Sequence, residues 1–329
     1  MDNKLRLGAL DGWRGISIIL VLAAHLLPLG PKWLMLNEAV GAMGMALFFT
    51  LSGFLITRLL TADARVVNFL IKRFFRIVPL AWLAITFVML TGINEKTDFF
   101  SNYFFFANLT RQKLPEGLGH FWSLNVEMQF YAAIALLFLF FGQRAVFLLP
   151  ILCLLVTLYR IKSGAHIDIH TLRRVDEILA GCVLGMVYSK LLGARPQSIL
   201  SSCNVYIAII IFFICSHPAS EFLNYFRPYA AAAVIGSTLF GEQKLLDRLL
   251  NSTALRYIAT ISFALYVVHG VLMSTWFASG EKWIKYAKRP LLLLITFLVA
   301  HISTFYFERY FIALGSRLSA RFPSRKIAK

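Results

Sequence analysis

Long apolar segments recur along almost the whole chain, and basic or polar residues close each of them. Because about 20 apolar residues cross a bilayer as a helix, this pattern predicts an all-α, polytopic bundle of transmembrane helices. The apolar runs are continuous, whereas the strands of a membrane β-barrel alternate between apolar and polar residues. We predict ten spans, which are residues 11–29, 40–60, 75–92, 119–141, 145–160, 175–193, 203–217, 223–241, 254–277 and 290–313.

The basic residues between the predicted spans indicate an orientation. Ten spans place both termini on one side, and that side would hold about 20 of the 33 Lys and Arg, which by the positive-inside rule predicts cytoplasmic termini. We expect one membrane domain over residues 1–316 and a basic cytoplasmic tail over 317–329. The tail carries Arg317, Arg325 and Lys326, which suit anionic lipid headgroups.

The composition supports a membrane protein and argues against two other classes. Hydrophobic residues make up 59% of the 329 residues and charged residues 15%, with a mean hydropathy of +0.71. A net charge of +17 could indicate nucleic-acid binding, but the basic residues punctuate apolar segments, so we expect no nucleic-acid partner. The loop 159–177 contains His166 and His170, yet its spacing matches no metal-ligand signature. We therefore predict no metal and no permanently bound cofactor.

The first predicted span carries three ionisable residues, Asp11, Arg14 and His25. Ionisable groups at membrane depth are costly and usually mark a functional site. Arg14 and His25 are eleven residues apart, which is about three helical turns, so both should point to one face. We expect a fixed cation near one membrane surface and a buried imidazole roughly 16 Å away on the same wall.

Small and basic residues interrupt the next two segments. Ser52 and Gly53 lie inside an apolar run, where close helix packing by small residues is the more common reason, and Ser52 is also a candidate site residue. Arg73 and Arg76 are three residues apart and should share a face. They are typical of the basic flank of a span, but two guanidinium groups on one face would also bind a phosphate.

Later segments add further candidates. Ser123 and Glu127 are one turn apart, with Asn125 between them, and a Glu so far inside an apolar segment needs a partner or a function. In the predicted orientation the geometry permits a contact between Glu127 and His25. The remaining candidates to line the protein interior are Arg174, Asp176 and His269, although a lone His in an apolar helix is more often structural.

Together these residues permit acyl transfer across the membrane. A coenzyme A thioester has phosphates for an arginine site and a long thin arm that would bring its acyl group to His25. Neutral His25 could take a proton from an acceptor hydroxyl, and Glu127 could orient the imidazole. The donor-binding candidates are Arg14, Arg73 and Arg76, and the candidates to stabilise an oxyanion are Ser52, Ser123 and Asn125. A proton-coupled transporter with His25 and Glu127 as its relay is an alternative on these grounds.

Four segments resemble the motifs of the membrane-bound acyltransferase family 3. They are LDGWRGISIILVLAAH at 10–25, FFTLSGFLI at 48–56, FLIKRFFRIVPL at 69–80 and HFWSLNVEMQFY at 120–131. Weaker similarities occur at 173–185 and 257–269. The fourth motif includes Trp122 and Tyr131, which we add to the candidate site residues.

The resemblance implies a bacterial inner-membrane enzyme with ten core helices. Such enzymes move an acyl group, most often acetyl, from cytoplasmic acyl-CoA to a hydroxyl of an extracytoplasmic or lipid-linked saccharide, such as the O-antigen of lipopolysaccharide or an exopolysaccharide. The resemblance implies that His25 is catalytic, that Glu127 lies in the site, and that the donor binds Arg14, Arg73 and Arg76. It favours an O-acyltransferase over a transporter or flippase of a glycolipid.

The chain departs from the family pattern near its end. Some members carry a C-terminal hydrolase-like domain, whereas this sequence stops soon after its last predicted span. We expect transfer to be completed in the membrane domain, in a homo-oligomer or with a partner protein. In FYFERYF, Glu308 is followed by Arg309 without the family's proline, so the resemblance assigns Glu308 no role.

Overall fold

The computed structural model describes residues 3–62, 66–91, 99–110 and 114–322, with the side chains of residues 3–7 and 62 left out. The described residues form helices and connecting turns without a strand, which confirms the all-α prediction. The α-helices are α1 (Asn3–Leu26), α2 (Leu36–Ala62), α3 (Val66–Leu90), α4 (Phe99–Tyr103), α5 (Trp122–Phe141), α6 (Leu149–Lys162), α7 (Asp176–Tyr188), α8 (Arg195–Ser202), α9 (Val205–Ser216), α10 (Arg227–Phe240), α11 (Lys244–Leu250), α12 (Thr253–Met273), α13 (Lys282–Ala287), α14 (Arg289–Ile302) and α15 (Arg309–Ala320).

Six helical segments in the described part of the chain are long and apolar enough to cross a bilayer. They are Gly8–Leu26, Lys32–Thr61, Val66–Leu90, Gly119–Lys162, Thr253–Met273 and Arg289–Ala320. A seventh is obtained if α8 and α9, which meet at a bend of 91°, are counted as one span. The chain is therefore a multi-pass membrane protein, while the count of ten spans and the orientation stay predictions.

Two of the predicted spans correspond to short helices, α7 and α10. Their 13 and 14 residues would extend about 20 Å at 1.5 Å per residue, less than the hydrocarbon core of roughly 30 Å. Most residues of both helices are buried within the protein. A helix surrounded by protein is apolar on every side, so hydropathy alone does not distinguish it from a lipid-facing span.

The last described helix crosses the predicted boundary between the membrane domain and the tail, and that boundary stays a prediction. Helix α15 continues through residue 316 to Ala320, so no break separates the predicted membrane domain from the start of the tail. Arg317 lies on this helix, whereas Arg325 and Lys326 lie outside the described residues. The cytoplasmic location of the tail stays a prediction.

The chain forms two compact units. The first unit comprises Met1–Thr61, Arg144–Asp168 and Leu172–Ser262. Its buried core includes Trp13, Phe54 and Phe212, and the indole Nε1 of Trp13 donates a buried hydrogen bond of 3.0 Å to Thr238 Oγ1. Helix α1 is thus anchored to α10 by both apolar packing and a polar contact.

Gly53 shows why a small residue interrupts α2. A Cβ atom on Gly53 would lie 1.9 Å from the carbonyl oxygen of Ile178 in α7, a distance that real Cβ contacts do not reach. Only glycine allows the two helix backbones to approach so closely. The predicted packing role of this Ser-Gly pair is confirmed for Gly53.

The second unit comprises Ala62–Gln143, Ile169–Thr171 and Phe263–Lys329. Helix α3 packs against α15, and the Asn68 side chain donates a hydrogen bond of 3.2 Å to the Phe322 carbonyl. Between α14 and α15, residues Ser303–Glu308 form a π-helical turn. Such turns change the direction in which the following side chains point and occur often at functional sites.

Candidate functional site

In the first unit, α1 carries Asp11, Arg14 and His25 on one uninterrupted helix, as the sequence predicted. Asp11 is exposed and Arg14 is half-buried. His25 is exposed on the surface of this unit, and its expected position deep in the membrane stays a prediction. The side chain is exposed because α1 ends one residue later and the chain then turns away. The imidazole is therefore accessible to a ligand.

The glycine before Trp13 has a packing function. A Cβ atom on Gly12 would lie 2.3 Å from the carbonyl oxygen of Leu250 at the end of α11. Gly12 therefore allows one face of α1 to pack closely against α11. The adjacent Trp13 is buried as well. Arg14 remains on a side of the helix that is not fully covered. The first motif thus combines packing residues with the candidate site residues.

In the second unit, α3 and α5 bring Arg73, Tyr131 and Glu127 together. The Arg73 guanidinium carbon lies 5.3 Å from the centre of the Tyr131 ring and 5.8 Å from that of Phe69. The Tyr131 hydroxyl donates a short hydrogen bond to Glu127 Oε1, and the Glu127 side chain is 4% exposed. Ring stacking fixes the guanidinium without neutralising its charge. Tyr131 therefore contacts the Arg73 guanidinium through its ring and the buried Glu127 carboxylate through its hydroxyl.

Arg76 lies close enough to interact electrostatically with Arg73, Tyr131, Glu127 and Glu308. The predicted proximity of Arg73 and Arg76 is confirmed. Glu308 is the last residue of the π-helical turn, is 6% exposed, and accepts a hydrogen bond of 2.8 Å from Thr304 Oγ1. The sequence analysis assigned no role to Glu308, although a Glu inside an apolar segment is itself a signal.

We expect Glu308→Gln to lower the free energy of unfolding by about 1–3 kcal/mol, because it replaces a buried carboxyl group that interacts with Arg76 and is hydrogen-bonded to Thr304. The measurement is thermal unfolding of the purified protein. Glu281→Gln is the matched control, since Glu281 is an exposed carboxylate of the same unit. Equal melting temperatures for the two variants would contradict a stabilising role of Glu308.

A second cluster in this unit joins the start of α5 to α12. Ser123 Oγ lies 2.6 Å from the Tyr266 hydroxyl, which donates a short hydrogen bond to the His120 carbonyl. The rings of His120 and His269 have centroids 4.6 Å apart, and His269 Nδ1 lies 3.1 Å from the Leu265 carbonyl oxygen. Ser123 and His269 are thus brought together, with His120 and Tyr266 as residues that sequence reasoning missed.

Two other candidates of α5 lie near these clusters. Trp122 begins the helix and is half-buried. Asn125 is 1% exposed, and its Nδ2 atom has no hydrogen-bond partner among the described residues. A buried amide donor of this kind can bind a ligand oxygen. The structure therefore keeps Asn125 as a candidate of the second unit.

Arg174 and Asp176 belong to a buried ion-pair network of the first unit. Arg174 Nε lies 3.5 Å from Glu177 Oε2, and Arg227 Nε lies 2.7 Å from Glu177 Oε1. Asp176 accepts a short hydrogen bond from Arg160. All five side chains are at most 3% exposed. This network is suited to holding α6, α7 and α10 together.

The neighbouring Arg173 behaves as a surface residue. Its guanidinium pairs with Asp168 Oδ2 at 3.0 Å, and the Arg173 side chain is 38% exposed. Hydrogen bonds to Asp168 and then to Tyr159 raise the pKa of Arg173 above its ordinary value. Arg173 is therefore a partly exposed residue, unlike the adjacent buried Arg174.

The remaining candidates are distributed between the units. Ser52 is buried in α2 of the first unit. His25 belongs to the first unit and Glu127 to the second, and the predicted contact between them stays a prediction. Each unit thus has its own group of site candidates.

Comparison with known proteins gives a family match and several relatives. The model of an acyltransferase domain, that of acyltransferase family 3, matches residues 7–309. A peptidoglycan O-acetyltransferase OatA of Listeria monocytogenes is 25% identical over 309 residues, covering 79% of this chain and 48% of that protein. An O-acetyltransferase OatA of Staphylococcus aureus is 24% identical over 374 residues, covering 99% of this chain and 60% of that protein. No solved structure matches the chain.

The chain thus spans about half the length of the first relative and 60% of the second. The matched residues 7–309 include the helices that carry all the candidate residues described above. The candidate groups of both units consequently fall inside one family domain.

Proposed function

The chain belongs to the membrane-bound acyltransferase family 3, and on that premise we propose that it transfers an acetyl group from acetyl-CoA to a hydroxyl of a cell-envelope saccharide. The observation that carries the proposal is the family match over residues 7–309, which includes Arg14, His25, Arg73, Arg76 and Glu127. The names of the relatives in Listeria and Staphylococcus support acetyl as the transferred group. The acceptor is a saccharide that is extracytoplasmic or linked to a lipid.

The proposed setting is the bacterial inner membrane. Ten spans with both termini in the cytoplasm would allow a cytoplasmic donor and an acceptor on the opposite side. Such an arrangement requires a donor long enough to reach into the membrane, which the arm of coenzyme A provides. The enzyme needs no permanently bound cofactor for this reaction.

We assign the role of general base to His25. Its exposed imidazole accepts the proton of the acceptor hydroxyl while the hydroxyl oxygen attacks the thioester carbonyl carbon. The tetrahedral intermediate then collapses, the carbon–sulfur bond breaks, and the departing thiolate takes the proton back from the imidazolium. Imidazole suits both steps because it titrates near neutral pH. The products are the acetyl ester and free coenzyme A.

The donor phosphates are proposed to bind the arginines of the family motifs, Arg73 and Arg76 with Arg14. A guanidinium can donate two parallel hydrogen bonds to one phosphate. Arg73 is suited to this role because the rings of Phe69 and Tyr131 hold its guanidinium without neutralising its charge. Glu127 is proposed as a site carboxylate that holds Tyr131 in place beneath Arg73.

We expect Arg73→Gln to raise the Kd for acetyl-CoA about tenfold or more, because a charge-assisted hydrogen bond to phosphate is lost. The measurement is isothermal titration of the purified protein with acetyl-CoA. Lys72→Gln is the matched control, since Lys72 is the adjacent, exposed cation on the same helix. If the two variants bound acetyl-CoA equally well, Arg73 would not bind the donor. It would then be a basic residue that only helps to orient the helix in the membrane.

The activity itself can be tested in a bacterial host whose cell envelope lacks ester-linked acetate. Expression of the chain should produce acetate that mild base releases from the envelope polysaccharides, because oxygen esters hydrolyse under those conditions. Chromatography of the released acetate gives the amount, and enzymatic digestion of the polysaccharide locates the acetylated sugar. The proposal would be contradicted if cells that contain the folded protein and its partner proteins gained no ester-linked acetate in their envelope.

A further inference from the structure

The end of α1, which carries His25, is tied to the start of α2 by one side chain, that of Asn37. Asn37 Nδ2 donates hydrogen bonds of 2.7 Å each to the carbonyl oxygens of Ala24 and Leu27. Asn37 Oδ1 accepts a hydrogen bond of 3.3 Å from the backbone N–H of Leu29. The three bonded backbone groups lie on both sides of His25 in the sequence.

The last carbonyl groups of an α-helix lack partners within the helix and need them from elsewhere. In α1 the usual local solution is restricted, because Pro28, two residues after the end of the helix, has no backbone N–H to donate. The carbonyl groups at positions 24 and 27 are therefore bonded by a residue of the next helix. The conformation of the turn that holds His25 depends on a tertiary contact.

The residue type fits this task. The contact requires two N–H donors for two carbonyl groups and one acceptor for an N–H, and the primary amide of asparagine supplies all three. Aspartate has the same shape but donates no hydrogen bond. Leucine has a similar size and makes no hydrogen bond. A Cβ atom added to Gly41 would lie 3.2 Å from the Cβ atom of Ala24, so the end of α1 and the first turns of α2 lie close to each other.

We propose that Asn37 is a positioning residue that holds the last turn of α1, and thereby the imidazole of His25, in the orientation needed for proton transfer. This inference rests on the proposed function of His25 as general base. The backbone of this turn sets the direction of the Cα–Cβ bond of His25, and so the direction in which its imidazole leaves the helix. Proton transfer requires hydrogen-bond geometry, and a misplacement of about 1 Å can reduce a rate a hundredfold.

The test compares Asn37→Asp and Asn37→Leu with Glu38→Gln, a change at the adjacent exposed residue. We expect both Asn37 variants to lower kcat between about tenfold and a hundredfold. The Kd for acetyl-CoA should stay within about twofold of the wild-type value, because Asn37 acts on the base and has no part in donor binding. Glu38→Gln should leave kcat unchanged.

Two further measurements separate positioning from general structural damage. In a His25→Ala background, the Asn37 variants should cause no further loss of rate, because a residue that acts through His25 has nothing left to position. Hydrogen–deuterium exchange of residues 24–30, measured without substrate, should be faster in Asn37→Leu than in Glu38→Gln.

The outcomes separate this inference from the proposed function. Equal kcat in Asn37→Leu and Glu38→Gln, or an equal loss of rate with and without His25, would overturn the positioning role. Unchanged exchange of residues 24–30 would overturn the contact itself, whatever the activity. Full activity of His25→Ala alone would instead overturn the assignment of the general base.

Discussion

His25→Ala is expected to reduce acetyl transfer by about 10²–10⁴-fold, which is the range that a positioned general base contributes. The variant removes the only imidazole on α1, and an imidazole is the side chain best suited to exchange protons near neutral pH. The measurement is the transfer of labelled acetate from acetyl-CoA to envelope polysaccharide in membranes that contain equal amounts of wild-type and variant protein.

His301→Ala is the matched control for this variant, because His301 is an exposed histidine of α14 outside both candidate groups. We expect His301→Ala to transfer acetate at the wild-type rate. The melting temperatures of both variants should stay close to that of the wild type, since neither imidazole is buried. A His25→Ala variant as active as His301→Ala would exclude His25 as the base.

Glu177→Gln is expected to destabilise the protein by about 3–5 kcal/mol, the usual effect of removing one partner from a buried ion pair. Glu177 serves both Arg174 and Arg227, so the change leaves two buried guanidinium groups without their shared carboxylate. This is a large part of the roughly 5–15 kcal/mol that stabilises a typical domain. The measurement is thermal unfolding of the purified protein together with its yield from membranes.

Asp168→Asn provides the matched control for the buried network. Asp168 pairs with Arg173 at 3.0 Å, but both side chains are accessible to solvent, which screens their interaction. We expect little change in the melting temperature of this variant. If Glu177→Gln were as stable as Asp168→Asn, the network around α7 would not contribute to the stability of the first unit.

The sequence predicts local features of this structure well. The helix that carries Arg14 and His25 is confirmed because a continuous apolar segment and helical spacing are properties of neighbouring residues. The proximity of Arg73 and Arg76 is confirmed for the same reason, since residues three apart on a helix share a face. The interruption at Gly53 is confirmed as a close helix contact.

The parts that depend on tertiary packing were not predicted. Asp176 pairs with Arg160, and Glu177 pairs with Arg227, 50 residues further along the chain. The hydrophobic pattern shows that a charged side chain in such a segment is costly to bury, but it does not show which residue pairs with it. The end of α1 just after His25 was not predicted either, because it depends on how the chain turns after Leu26.

The π-helical turn before α15 and the contact of Asn37 with α1 cannot be predicted from the hydrophobic pattern. A π-helical turn places Glu308 in the interior, and the apolar residues before it give no indication of a change in helix type. Asn37 follows directly after the start of α2, a position at which asparagine is ordinary, and its contact with α1 depends on the packing of two helices. The contacts of both residues are known only from the structure.

The most direct test of the proposed reaction is the binding and turnover of acetyl-CoA by the purified protein, with His25→Ala measured beside it. We predict that both proteins bind acetyl-CoA with similar Kd values. Only the wild type should release free coenzyme A when a saccharide acceptor is present. Release of coenzyme A at the same rate by both proteins, or binding by neither, would contradict an acetyl transfer that depends on His25.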